Sequence, residues 1–193
     1  MRGSTPQEWL KWWAERYGSY DEAEYSDLIK KHEALSAKDF ERIGKWKDGV
    51  TTDSQWKTDV ASVAYLIWEQ AAAELPKCPQ ESAVAAFLED WSGKTYTDNF
   101  KIGPRKKRFG LSRATTLLHF ISGGRYPIFD SRVRTAIARL LDQPELPGTV
   151  SSYLRSYLPL FKDLAERCET VDFRMLDKAL FSYGALDKRS FST

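Results

Sequence analysis

Asp130 is the one acidic residue between Lys101 and Arg139. That stretch holds ten cations: Lys101, Arg105, Lys106, Lys107, Arg108, Arg113, Arg125, Arg132, Arg134 and Arg139. Ten cations against one carboxylate give +9, and the whole chain carries +2, which leaves −7 on the remainder. A basic segment on an otherwise acidic chain reads as a docking face for a polyanion. Arg105, Lys106, Lys107 and Arg108 would hold phosphates electrostatically, and Arg113, Arg125, Arg132 and Arg134 could add contacts. A turn at Gly110 would offer backbone N–H groups to a phosphate. The Asp130 carboxylate could stabilise a developing positive charge or orient a water molecule. Tyr126, Trp46, Trp56, Trp68 and His119 carry flat rings able to stack on a nucleobase. Each feature also has a plainer reading. Asp is a common helix N-cap, aromatics at helical spacing are commonly core, a basic run is commonly a solvated loop, and Arg139 reads as a structural salt-bridge partner.

The elements that must position these residues can be read around the same stretch. Gly103-Pro104 breaks whatever precedes it. Phe109-Gly110-Leu111 is a tight turn in which glycine is free to take positive φ. Ser112 reads as an N-cap for a helix over Arg113–Ser122, with Ala114, Leu117, Leu118 and Ile121 as its buried face. Gly123-Gly124 ends that helix. Pro127 keeps Tyr126 extended, and Asp130 is placed to cap a second helix from Ser131 to about Leu141, with Val133, Ile137, Leu140 and Leu141 inward.

The rest of the chain reads as helices. Thr5, Pro6 and Glu8 make a capping box at the head of the first. A second runs from about Asp21 to Leu35. Ser36 caps a third, which carries Phe40, Ile43 and Trp46. The longest, about Ser54 to Leu75, looks like the central buried helix. Pro79 opens a fifth that closes at Ser92-Gly93, and Thr97-Asp98 opens a short sixth. After Leu141, Thr149 to about Cys168 is helical with an interruption at Pro159. Thr170 caps the last helix, which Gly184 ends. Near it, Asp172, Arg174 and Asp177 are placed for local ion pairs. No strand, repeat or low-complexity segment is visible, so the fold class is all-α, with roughly ten short helices in one domain over residues 1–193.

Composition narrows the class further. With 193 residues and 42% apolar residues, the chain can bury one real core or two small lobes. The two cysteines, Cys78 and Cys168, form no CxxC pair or four-cysteine set, so neither a zinc site nor an iron–sulfur cluster of the usual kind is expected. Reduced structural thiols are the expectation. No apolar run reaches membrane-spanning length and the N-terminus is no signal peptide, so a cytoplasmic protein is expected.

The order turn, helix, Gly-Gly break and Asp-headed helix resembles the helix-hairpin-helix DNA glycosylase superfamily. The residues that carry the likeness are Phe109-Gly110-Leu111-Ser112-Arg113-Ala114 and then Tyr126-Pro127-Ile128-Phe129-Asp130-Ser131-Arg132-Val133. The likeness is closest to the adenine glycosylase branch, through the Pro-Ile-x-Asp-x-x-Val pattern and the run Arg134 to Arg139. It covers about 35 residues, within a helix-hairpin-helix and catalytic segment at about 101–141. Lys106-Lys107-Arg108-Phe109-Gly110 stands where the family hairpin has Leu-Pro-Gly-x-Gly. Ser112, eighteen residues before Asp130, stands where bifunctional members carry a Schiff-base lysine. The iron–sulfur cysteines of some branches are absent.

The resemblance implies a two-lobed helical fold and a base-flipping hydrolase of N-glycosyl bonds that acts as a monomer. It implies Asp130 as the catalytic carboxylate. Arg105, Lys106, Lys107, Arg108, Gly110, Ser112, Arg113, Arg125 and Arg132 become DNA-binding residues, and Tyr126, Trp46, Trp56, Trp68 and His119 line the base pocket. The partner would be double-stranded DNA, with no metal or organic cofactor and no lyase activity. Both DNA repair and phage defence fall within the superfamily, the latter directed at a hypermodified base such as glucosylated hydroxymethylcytosine. Glu24 and Glu33 lie in the region of the adenine branch's additional carboxylate. The alternative is a non-catalytic helix-hairpin-helix DNA-binding module.

Overall fold

The computed structural model describes residues 5–18, 21–48, 81–100 and 103–186. The helix expected over residues 54–75 lies outside them, as do Trp56, Trp68, Cys78 and Lys101. The chain divides into two compact units, Met1–Ser19 with Pro127–Thr193, and Tyr20–Tyr126. The boundary thus falls at the Tyr126-Pro127 peptide, inside the stretch that the sequence singles out.

The described residues of the unit over residues 20–126 form helices and one ribbon. Helix α1 (Pro6–Ala14) belongs to the other unit; here α2 (Glu22–Lys30), α3 (Ala37–Asp48), α4 (Glu81–Gly93) and α5 (Leu111–Ile121) pack together. Asp21 caps α2 by accepting from the backbone N–H of Ala23 and Glu24. Ser36 and Asp39 close a reciprocal box at the head of α3. Leu28, Ile43, Val84, Leu88, Trp91, Leu118 and Phe120 are among its buried core.

Helix α5 differs from expectation in two ways. It starts at Leu111, with Gly110 at the N-cap at φ +82°, so Ser112 lies inside the first turn and does not cap. Glycine supplies the left-handed turn that a serine at that point could not take without strain. The helix is also buried on every side from Ala114 to Ile121, not along one face. Its two buried threonines are satisfied within the helix: the Thr115 and Thr116 hydroxyls donate to carbonyls one turn back, at 3.0 Å to Leu111 and 2.8 Å to Ser112. A helix closed off all round occupies the centre of its unit.

The expectation of no strand, and of a short helix at Thr97-Asp98, is corrected by an antiparallel ribbon of β1 (Thr95–Phe100) and β2 (Gly103–Arg108). Thr97 pairs with Lys106 and Asp98 with Arg105. Thr95, Tyr96 and Thr97 suit extended backbone. Pro104 sits near the start of β2, and in a two-stranded ribbon each strand keeps an edge where a missing N–H costs no pairing. At its base the Phe109 N–H donates to the Lys94 carbonyl at 2.7 Å, and the Gly110 N–H to that of Ser92 at 3.2 Å. The all-α class holds for the rest of the described chain.

The other unit joins α1 to α6 (Ser131–Leu140), α7 (Val150–Ser152), a π-helical segment (Tyr153–Tyr157), α8 (Leu158–Arg167) and α9 (Phe173–Gly184). The capping box of Thr5 and Glu8 forms, with Pro6 in the first turn. Helix α9 packs against both α1 and α6. The interruption expected at Pro159 is not a break. The chain stays helical but widens over Tyr153–Tyr157, where the Leu158 N–H reaches back five residues to the Tyr153 carbonyl. Proline cannot donate and its ring crowds the carbonyl four residues earlier, and a wide turn just ahead of it relieves both demands. Asp172, not Thr170, caps α9 by accepting from Met175 N–H; the Thr170 hydroxyl accepts from Asp172 N–H instead. Cys168 is a buried free thiol, 3.7 Å from the Pro6 carbonyl, and burial pushes its pKa up.

Candidate functional site

Pro127, Ile128 and Phe129 are buried in backbone outside any helix or strand, and Asp130 is half-buried at the N-cap of α6, at φ −109° and ψ 177°. Its Oδ1 accepts from the Val133 N–H at 3.0 Å. A carboxylate here meets the positive end of the α6 dipole, which favours an anion. The residues ahead of it are tied down by side chains from the π-helical segment. The Tyr153 hydroxyl donates to the Pro127 carbonyl at 2.9 Å, and the Tyr157 hydroxyl to that of Ile128 at 3.3 Å. Burial pushes the Tyr157 phenol well above its ordinary range, with the negative charges of Asp177 and Asp130 among the further causes.

The cations of the same unit take mixed roles. Arg132 is exposed on the first turn of α6, and its guanidinium lies 4.5 Å over the Phe181 ring. Arg134 donates to the Leu146 carbonyl at 3.0 Å, fixing the loop after α6. Arg139 donates to the carbonyls of Tyr183 and Leu186 at the end of α9.

In the unit over residues 20–126, Arg105, Lys106, Lys107 and Arg108 occupy four consecutive positions of β2, so the basic run is a strand and not a loop. Arg108 is exposed, and its Nε donates to the Ser92 carbonyl at 2.9 Å. Gly110 turns the chain into α5. Arg113 donates to the Phe109 carbonyl at 3.1 Å, and exposed Arg125 to that of Ser122 at 2.9 Å. Gly123 and Gly124, at φ +64° and +83°, end α5 as the sequence indicated.

Two base-pocket candidates are core residues. Trp46 is 6% exposed, and its indole N–H donates to the Asp21 carbonyl at 3.0 Å. His119 is 1% exposed. Its Nδ1 lies 2.7 Å from the Tyr126 carbonyl and its Nε2 3.0 Å from the Tyr25 hydroxyl. A carbonyl only accepts, so Nδ1 carries the proton, and in the neutral ring Nε2 accepts from tyrosine. Neither ring offers a face for stacking, and the reason is the helical spacing that put both inside. Tyr126 is half-buried. Glu24 is held bidentately by Arg42, with both contacts at 2.8 Å, while Glu33 is exposed.

Sequence reasoning missed Tyr153 and Tyr157. Their spacing of four across a helix was visible, but nothing local tied them to a segment more than twenty residues earlier. Among the described residues no group of three or more His, Cys, Asp or Glu is placed to hold a metal ion, and no helix is long and apolar enough to cross a membrane. No protein-family model, no curated protein and no solved structure matches the chain.

Proposed function

We propose that this chain is a monofunctional DNA glycosylase, with Asp130 as its catalytic carboxylate. The observation that carries the reading is the setting of Asp130. It stands half-buried at the head of α6, held by backbone and buried phenols on its N-terminal side, on the one segment of the chain where cations outnumber acids ten to one. In the reaction a nucleotide leaves the stack and its N-glycosidic bond breaks. The bonding electrons depart with the base, and the sugar passes through an oxocarbenium-like state that a nearby carboxylate stabilises. Water adds its oxygen to the anomeric carbon. Its proton leaves through the carboxylate to the departing base or to solvent, and an abasic site remains. The ribbon over Arg105–Arg108 and the turn at Gly110 serve as the phosphate-binding part. Ser112, on the first turn of α5, has a hydroxyl and cannot form an imine, which supports hydrolysis without strand cleavage. The excised base is a damaged one or a hypermodified base of phage DNA.

The test begins with an alkali-cleavage screen of the protein against duplexes bearing different modified bases, phage genomic DNAs included. Strand breaks are expected only after alkali. Single-turnover excision by wild type and Asp130→Asn is then compared on the duplex that reacts. Asn keeps the shape and caps about as well, so melting should change little. The rate should fall by on the order of 10²–10³ or more, the usual effect of removing an electrostatic stabiliser. Equal rates would return Asp130 to a plain cap. The bond from Val133 to Asp130 is what favours the second reading, a DNA-binding module in which Asp130 only caps α6. That reading expects DNA affinity with no excision on any substrate.

A further inference from the structure

Three consecutive carbonyls lead toward Asp130, and each meets a buried side chain of its own unit. That of Tyr126 receives His119 in one unit; those of Pro127 and Ile128 receive Tyr153 and Tyr157 in the other. The two tyrosines are 0% exposed and bracket the π-helical segment. They stand four apart in sequence, while the turn between them is wider than an α-helical one. Such single π turns recur at functional sites, because they redirect side chains that a regular helix would space differently. The Phe129 ring packs against both phenols, with centroids at 5.6 Å from Tyr153 and 4.7 Å from Tyr157. All three residues before Asp130 are therefore gripped by one pair of side chains. A core built of phenylalanines would bury this segment equally well. It would leave the carbonyls of Pro127 and Ile128 without these donors, in a segment that lies outside any helix or strand.

We infer that Tyr153 and Tyr157 are positioning residues for Asp130: their hydroxyls fix the two peptide groups ahead of it and so set where its carboxylate stands. The inference rests on the reading of Asp130 as catalytic for its functional meaning, but its geometry can be measured separately. Tyr153→Phe, Tyr157→Phe and the double variant keep both rings and remove only hydroxyls. The Val133 amide, which donates to Asp130, reports the position of the carboxylate. Its proton resonance should move upfield and its hydrogen exchange should quicken by about tenfold, the scale of one lost buried hydrogen bond. Trp13→Phe, a buried ring on α1 in the same unit, serves as the control for general loosening and should leave Val133 in place. On the duplex identified by the screen, the single-turnover rate should fall about tenfold in each single variant, with the Kd for that duplex unchanged. An unmoved Val133 amide in both single variants overturns the inference, and so does an equal shift in Trp13→Phe. If the double variant does not fold, the single variants decide. A shifted Val133 amide in a protein that excises nothing upholds the positioning and rejects the catalytic reading instead.

Discussion

Arg174 and Asp177 are charged residues inside a core. Their side chains are 9% and 6% exposed, and Arg174 Nη1 lies 2.7 Å from Asp177 Oδ2. The other terminal nitrogen donates to the Tyr17 hydroxyl at 2.9 Å, bringing the N-terminal segment into the same network. The worth of such a pair is asymmetric. Forming it returns little beyond the desolvation of both ions, yet removing one partner strands the other. Arg174→Ala should therefore destabilise by about 3–5 kcal/mol, a large part of a typical domain's ~5–15 kcal/mol. Replacing both residues with Met and Leu should be far milder. Urea unfolding of the two variants decides between them, and a small loss in Arg174→Ala would mean that other groups or water still satisfy Asp177. From the sequence, these residues read only as local ion pairs three apart. Spacing on α9 gave the pairing but not the burial, because charged residues are mostly exposed and only tertiary contacts reveal an exception.

At the scale of elements, Asp130 depends on how closely α6 meets α9. Gly184, the last residue of α9, lies against the backbone of Arg132, and a Cβ there would collide with the Arg132 carbonyl. Two effects compete in Gly184→Ala. Helix propensity favours alanine by about 1 kcal/mol. The collision is with backbone, which cannot rotate away, and overpacking of this kind costs about 1–3 kcal/mol. The collision should win, giving a net loss in a denaturant melt with an unchanged m-value; a gain in stability would show that the crossing can relax. Helix existence was legible in the sequence where a cap and a periodic face agreed, as at Thr5, Ser36 and Asp130. The start of α5 was misread because Ser112 is a good cap by type, whereas Gly110 makes the turn by conformation. The ribbon was illegible for a different reason. Neither Thr95–Phe100 nor Gly103–Arg108 shows a run of alternating apolar and polar residues, the signal by which half-buried strands are recognised. The π-helical segment showed only as Pro159, and the grip of Tyr153 and Tyr157 on the Asp130 segment followed from tertiary structure alone.

At the scale of the whole molecule, the charge asymmetry is the property most open to measurement. The segment from Lys101 to Arg139 holds ten cations and one acid, and the remainder is net acidic. If that segment docks DNA, the affinity must depend on salt through the cations that displace counterions from phosphates. Each true contact removed should lower the slope of log K against log salt by about 0.9. Replacing Arg105, Lys106, Lys107 and Arg108 with Gln removes up to four, so the slope should flatten by at most about 3.6. Arg108 contributes less certainly to that total than its exposure suggests, because its Nε already anchors the ribbon through Ser92. Arg108→Gln should accordingly loosen the ribbon base as well, and the triple variant that keeps Arg108 separates the two effects. Phosphate contacts carry no sequence information, so the weakening should be uniform across unrelated duplexes. The control is a variant with Lys11, Lys162, Arg167 and Lys178 replaced by Gln. It removes the same charge from outside the basic segment, and so changes net charge without touching the docking face. Titrations over a range of salt concentrations should therefore show a flattened slope in the first variant and the wild-type slope in the control. Equal slopes in all three proteins would mean that the cations of β2 do not meet phosphate. Equal flattening in both variants would assign the salt dependence to net charge, with no localised docking face.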